Sequence, residues 1–123
     1  MMVTMDDDAA EFIAALLHSS TVAHFMHLST DSYSAHKALG HYYEDIIELA
    51  DDFAEAYQGR HNKIKKYPDE FHMATDPVKY LKSMQKFVDD ARDDLPQDSE
   101  IQNIIDEISQ LIDSTLYKLK FLD

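Results

Sequence analysis

The sequence predicts an all-α protein, four antiparallel helices packed as one bundle. Three observations carry that expectation. Only 2 glycines and 3 prolines occur among 123 residues, which leaves few places for the chain to turn. Helix-forming residues are abundant and runs of β-branched residues are absent. Four stretches repeat apolar residues at spacings of three and four, the period of a helix with one buried face. The length fits a single domain, residues 1–123, and 45% apolar content is enough for one core. A three-helix core with a loosely docked fourth helix is the competing architecture.

The first helix is expected over about 6–28. Thr4 or Asp6 can cap it, and Asp7, Asp8 and Glu11 suit the positive end of its dipole. Its stripe reads Ile13, Leu16, Leu17, Ser20, Ala23 and His27, with His24 on the border and His18 on another side. Ser29-Thr30-Asp31-Ser32 is a turn rich in capping oxygens. The second helix follows over about 33–58, with Leu39, Tyr43, Ile46, Ile47, Ala50, Phe53, Ala54 and Tyr57 facing inward and Gly59 as its natural terminator.

Residues 59–76 form a polar connection with a local basic cluster, Arg60, Lys63, Lys65 and Lys66. Such a length suits either a helical turn or a crossing of the bundle end, and Pro68 forbids a continuous helix. Asp76-Pro77 opens the third helix, Asp as cap and Pro in the first turn, and Leu95-Pro96-Gln97 closes it. Asp98 or Ser99 caps the fourth helix, whose Ile101, Ile104, Ile105, Ile108, Leu111, Ile112, Leu116, Leu119 and Leu122 make a broad apolar face, the most regular of the four. No internal repeat or low-complexity segment is present.

Composition narrows the function classes. With 11 basic and 24 acidic residues the formal charge is −13, which opposes DNA or RNA binding through a broad basic face. The absence of cysteine excludes a disulfide framework and thiolate ligands and suits a reducing cytoplasm. The N-terminus lacks the charged-then-apolar pattern of a secretory leader, and no apolar run reaches a membrane-spanning length, so no membrane partner is expected. No nucleophile motif or glycine-rich phosphate loop is present.

The chemistry-bearing stretch runs from His24 to Gln58. On a wheel stepping about 100° per residue from His36, Glu44 falls near about 80°, Asp51 near about 60° and Glu55 near about 100°. These acids form a column along one border of the apolar stripe. Acids flanking a stripe are also what any amphipathic helix shows. His24 and His27, one turn apart near the buried face of the first helix, add imidazoles opposite a helix that offers His36. Imidazole with carboxylate and no sulfur favours iron, zinc or manganese. The third and fourth helices carry no histidine, so a fuller coordination shell requires a second chain. His61 and His72 are expected to be exposed, and Tyr33, Tyr42, Tyr43 and Tyr57 to pack with wet hydroxyls.

The order His27, His36 in A-H-K-A-L-G, then Y-Y-E-D-I-I-E-L-A-D-D-F-A-E ending in Asp51 and Glu55, resembles the ferritin-like Dps family, including small Dps-like proteins of tailed phages. The resemblance covers roughly residues 20–60. It implies a ferritin-like four-helix bundle, assembled as a homo-oligomer, and a host cytoplasm as location if phage-encoded. It further implies an iron site between subunits, with His27 and His36 from one chain and Asp51 and Glu55 from its two-fold mate. Fe(II) would be bound there and oxidised by peroxide or oxygen. Glu44 and His24 are accessory candidates. The family's aspartate four residues after the second histidine is Gly40 here, its Trp-Asn after the first histidine is Leu28-Ser29, and its lysine-rich DNA-binding tail is absent. The alternatives are a degenerate bundle used as a structural or interaction module, and an adaptor whose acidic face docks a basic partner.

Overall fold

Short polar side chains set where the helices begin. The structure, a computed structural model, describes residues 4–122; Met1, Met2 and Val3, part of the N-terminal segment read above as lacking a leader, lie outside them. Thr4 starts α1 (Met5–Ser29): its hydroxyl accepts from the Asp7 amide at 3.1 Å while the Asp7 carboxylate accepts from the Thr4 amide at 3.2 Å. Ser32 starts α2 (Tyr33–Arg60) by accepting from the Ala35 amide at 3.2 Å. Asp76 starts α3 (Pro77–Ala91) by accepting from the Lys79 amide at 3.1 Å. A single 3-10 turn, Arg92–Asp94, follows, and α4 spans Ser99–Phe121.

One boundary and one cap differ from expectation. Gly59 does not terminate α2; it stays helical, and the helix runs on to Arg60. The cause lies in the next element. Asp98 occupies the cap position of α4 but makes no capping bond. Its carboxylate instead accepts from Arg60 Nε at 3.1 Å and bonds His61 Nε2 at 2.8 Å, which holds the last turn of α2 in place. His61 is therefore half-buried and engaged, not free in solvent.

Contacts fix the direction of each helix. α1 packs on α2 and α3, and α4 packs on α2 and α3. The start of α1 (Asp8, Glu11) meets the end of α3 (Phe87, Asp90, Ala91). The end of α2 meets the start of α4 through Asp98, and Ser34 Oγ near the start of α2 donates to the Leu122 carbonyl past the end of α4. Every neighbouring pair is thus antiparallel, while α2 and α3 run the same way. The 61–76 connection must travel the length of the bundle, and it does so without helix, pinned where Ile64 is buried and its amide donates to Gln58 at 2.9 Å.

Phe12 joins three helices, edge-on to Phe53 of α2 at 4.8 Å and stacked on Phe87 of α3 at 6.0 Å. Ile101, Ile105, Ile108 and Ile112 supply the α4 side, all fully buried. Each such side chain contributes roughly 1.5–3 kcal/mol of transfer free energy. Leu17 and Ile47, expected in the core, are 38% and 42% exposed. They lie at the edges of their stripes, outside the arc that faces the other helices. Two tyrosines also depart from expectation. Tyr42 is fully buried with its hydroxyl bonded to Ser19 at 2.8 Å, and buried Tyr57 donates to the Asp6 carboxylate. Desolvation raises both phenols well above their ordinary range.

Candidate functional site

The α1–α2 turn brings His27 and His36 together. Their rings stack with centroids 3.7 Å apart and planes 17° from parallel. The contact is reciprocal: His27 Nδ1 lies 2.6 Å from the His36 carbonyl, and His36 Nδ1 lies 2.8 Å from the His27 carbonyl. A carbonyl only accepts, so each Nδ1 carries the proton and donates. In the neutral ring, Nε2 then holds the free lone pair.

The two bonds are not equivalent. The His27 carbonyl belongs to the last turn of α1, where carbonyls lack an intrahelical partner. His36 therefore caps the first helix with its side chain. The His36 carbonyl lies inside α2, where the Gly40 amide is its regular helical donor, and the His27 bond is an addition.

Gly40 is part of the same assembly. A Cβ built on it would lie 3.1 Å from His27 Cε1 and 3.2 Å from His27 Nδ1. The absent side chain makes room for the imidazole, so the position read as a missing ligand is the slot in which a predicted ligand sits. A glycine costs about 1 kcal/mol relative to alanine inside a helix, which is the sequence signal that a packing reason exists.

Tyr43 and His24 complete the cluster. His24 stacks on Tyr43 at 4.0 Å, 6° from parallel, and Tyr43 meets His27 edge-on at 5.3 Å. Ser20 Oγ donates to the Tyr43 carbonyl at 2.8 Å, fixing that part of α2 against α1. His24 is exposed and borders the pair without joining its hydrogen bonds. Tyr43, read from the sequence as a packing residue, here stacks with His24 and abuts His27 edge-on.

The carboxylates lie elsewhere. Position 51 is about 22 Å along the α2 axis from position 36, and Glu55 is a turn further, at about 1.5 Å per residue. Glu44, Asp51 and Glu55 are all exposed, and none makes a hydrogen bond or ion pair among the described residues. Among those residues, no group of three or more His, Asp or Glu side chains within one chain gathers closely enough to hold a metal ion. The histidines are brought together; the acids predicted to join them are not brought there by the same chain. No helix among the described residues is long and apolar enough to cross a membrane.

These features define a four-helix bundle in which His24, His27 and His36 gather at one end of the first hairpin. Residues 27–119 match the model of a family of unknown function (DUF5856), and the chain belongs to that family. No curated protein and no solved structure matches it.

Proposed function

We propose that this protein binds a divalent transition metal, Fe(II) foremost, at a site shared between two copies in the manner of Dps-like bundles. The observation that carries the reading is the orientation of His27 and His36. Metal-binding histidines characteristically donate one ring N–H to a backbone carbonyl, which fixes the tautomer and leaves the other nitrogen as ligand. Both rings satisfy that condition through Nδ1. Asp51 and Glu55, one turn apart and unpaired within the described chain, are the oxygen donors a mate would supply. A two-fold axis would create two equivalent sites.

Two further features support it. One long crossover joining helices of the same direction is a connectivity found in ferritin-like bundles. Leu17, Phe25, Leu28 and Ile47 leave apolar surface exposed along α1 and α2, where a second copy would bury it.

Anaerobic calorimetry with Fe(II), alongside solution mass by light scattering, tests the reading. Wild type is expected to be at least dimeric and to bind Fe(II), and His36→Ala and Asp51→Ala each to abolish binding. Unfolding and refolding the two variants together is expected to restore it in mixed dimers, because one of their two seams regains both halves. A strictly monomeric protein, or no rescue on mixing, refutes the shared site.

A second reading rests on the 3.7 Å stack and the Gly40 contact. It takes the histidine pair as a latch between α1 and α2 in a bundle that serves as an interaction module. On that reading Fe(II) is not bound and His36→Ala lowers only stability.

A further inference from the structure

Away from the histidine hairpin, α1 and α3 diverge and leave a groove of about 670 Å³. Its floor is the small-residue run Ala10, Ala14 and Ala15, which keeps α1 from filling the space. Met84 and Phe87 of α3 form an apolar wall, and Tyr67 and Pro68 of the 61–76 connection cover it. Ligand sites of this size typically combine such apolar walls with a few placed polar groups.

The polar groups are unevenly distributed. Asp7 and Glu11 line the groove where α1 begins; Asp7 is occupied in the cap with Thr4, but Glu11 makes no hydrogen bond or ion pair among the described residues. On the covering segment Glu70 lies 3.8 Å from His72, and Lys66 adds a positive charge. Immediately beyond Glu11, a smaller recess adds Asp8, Asp90 and Asp94. Burial, then Asp94 and Asp7, hold the Asp8 carboxyl above its ordinary value. Tyr80 also lines the groove, and burial pushes its phenol up to about 12. At the other end, His18 rests edge-on against Phe71 at 5.3 Å.

We propose that this groove binds a small, flat aromatic cation, an arylalkylamine in chemical class, with its ring between Ala14 and Phe87 and its ammonium toward Glu11 and Asp7. An aromatic body matches the apolar walls, and a cation matches the acidic end. An anionic ligand of the same shape would meet Glu11, Asp7 and the acids beyond them.

Tryptamine and indole-3-acetate make the test, since they share a ring and differ in charge. The chain has no tryptophan, so indole emission reports the ligand alone. Tryptamine is expected to gain anisotropy saturably at one per chain, and indole-3-acetate to bind at least tenfold more weakly. Glu11→Gln, an exposed change, is expected to weaken tryptamine about fivefold, and Ala15→Leu to fill the groove and abolish binding with helical circular dichroism retained. Equal binding of both indoles, no binding of tryptamine, or indifference to Glu11→Gln overturns the proposal. Added chelator is expected to change nothing, which keeps this outcome separate from that of the metal reading.

Discussion

At the turn between α1 and α2, the polar ties run from imidazole N–H to backbone carbonyl. At the opposite end of the same hairpin they run to carboxylates: Tyr57 to Asp6, and Arg60 with His61 to Asp98. The two ends join the same helices with different leftovers. Asp6 and Asp98 at the open end are each spent on a partner, whereas His27 and His36 at the turn each keep a second nitrogen in reserve. Hence the imidazole donors of the hairpin are concentrated at its turn, although titratable groups are present at both ends.

Mutations can test that contrast. The largest effect is expected at the open end. Tyr57→Ala removes a fully buried ring and is expected to cost about 3–5 kcal/mol in denaturant unfolding, while Tyr57→Phe, which deletes only the bond to Asp6, costs about 1–2 kcal/mol. If both cost the same, the hydroxyl rather than the packing dominates that end.

At the turn, His36→Ala is expected to lower stability by about 1–2 kcal/mol and His27→Ala by less, because only the former leaves a helix-end carbonyl without a donor. A double-mutant cycle is expected to show coupling of about 0.5–1 kcal/mol through the stack. Additive effects would mean that the two rings do not act as a unit.

A sharper probe is Gly40→Ala. In wild type, the gain of about 1 kcal/mol in helix propensity is offset because His27 cannot retreat from the new methyl without crowding His36. In the His27→Ala background the obstacle is gone, and the same change is expected to stabilise by about 1 kcal/mol. Equal effects in both backgrounds would remove the slot from the account of Gly40.

The smallest effect is electrostatic. The His61 bond, aided by the Asp98 backbone amide and Arg60 and opposed by partial desolvation, holds the Asp98 carboxyl below its ordinary value. A depressed carboxyl contributes fully above its unfolded pKa of about 3.9, and the contribution is lost as pH falls through the folded value. Melting temperatures below about pH 4 are therefore expected to fall more steeply for wild type than for Asp98→Asn. Parallel curves would show that the ion pair adds nothing to stability.

The helices were legible because their signals are local. Thr4, one of two candidates, and the Asp76-Pro77 pair marked two starts, the turn 29–32 bracketed a third, and the isoleucines of α4 marked its inner face. The misreadings arose where a distant partner decided the matter. Asp98 looked like a cap and turned out to be an anchor for α2, which no window around residue 98 reveals. Leu17 and Ile47 have the hydropathy of core residues, and only the arrangement of the four helices places them outside. The proximity of His27 and His36 followed from a short turn. The reciprocal carbonyl bonds and the room made by Gly40 did not, because both depend on the rotation of α1 against α2 about their axes.

The full-length crossover has a topological consequence. Because 61–76 carries no helix and Ile64 is its only buried residue, a protease cut near Tyr67 would sever the covalent thread without removing any helix–helix seam. The molecule is in this sense two hairpins stitched by one external thread. A nicked sample should migrate as two fragments under denaturing conditions yet travel as one particle in native buffer.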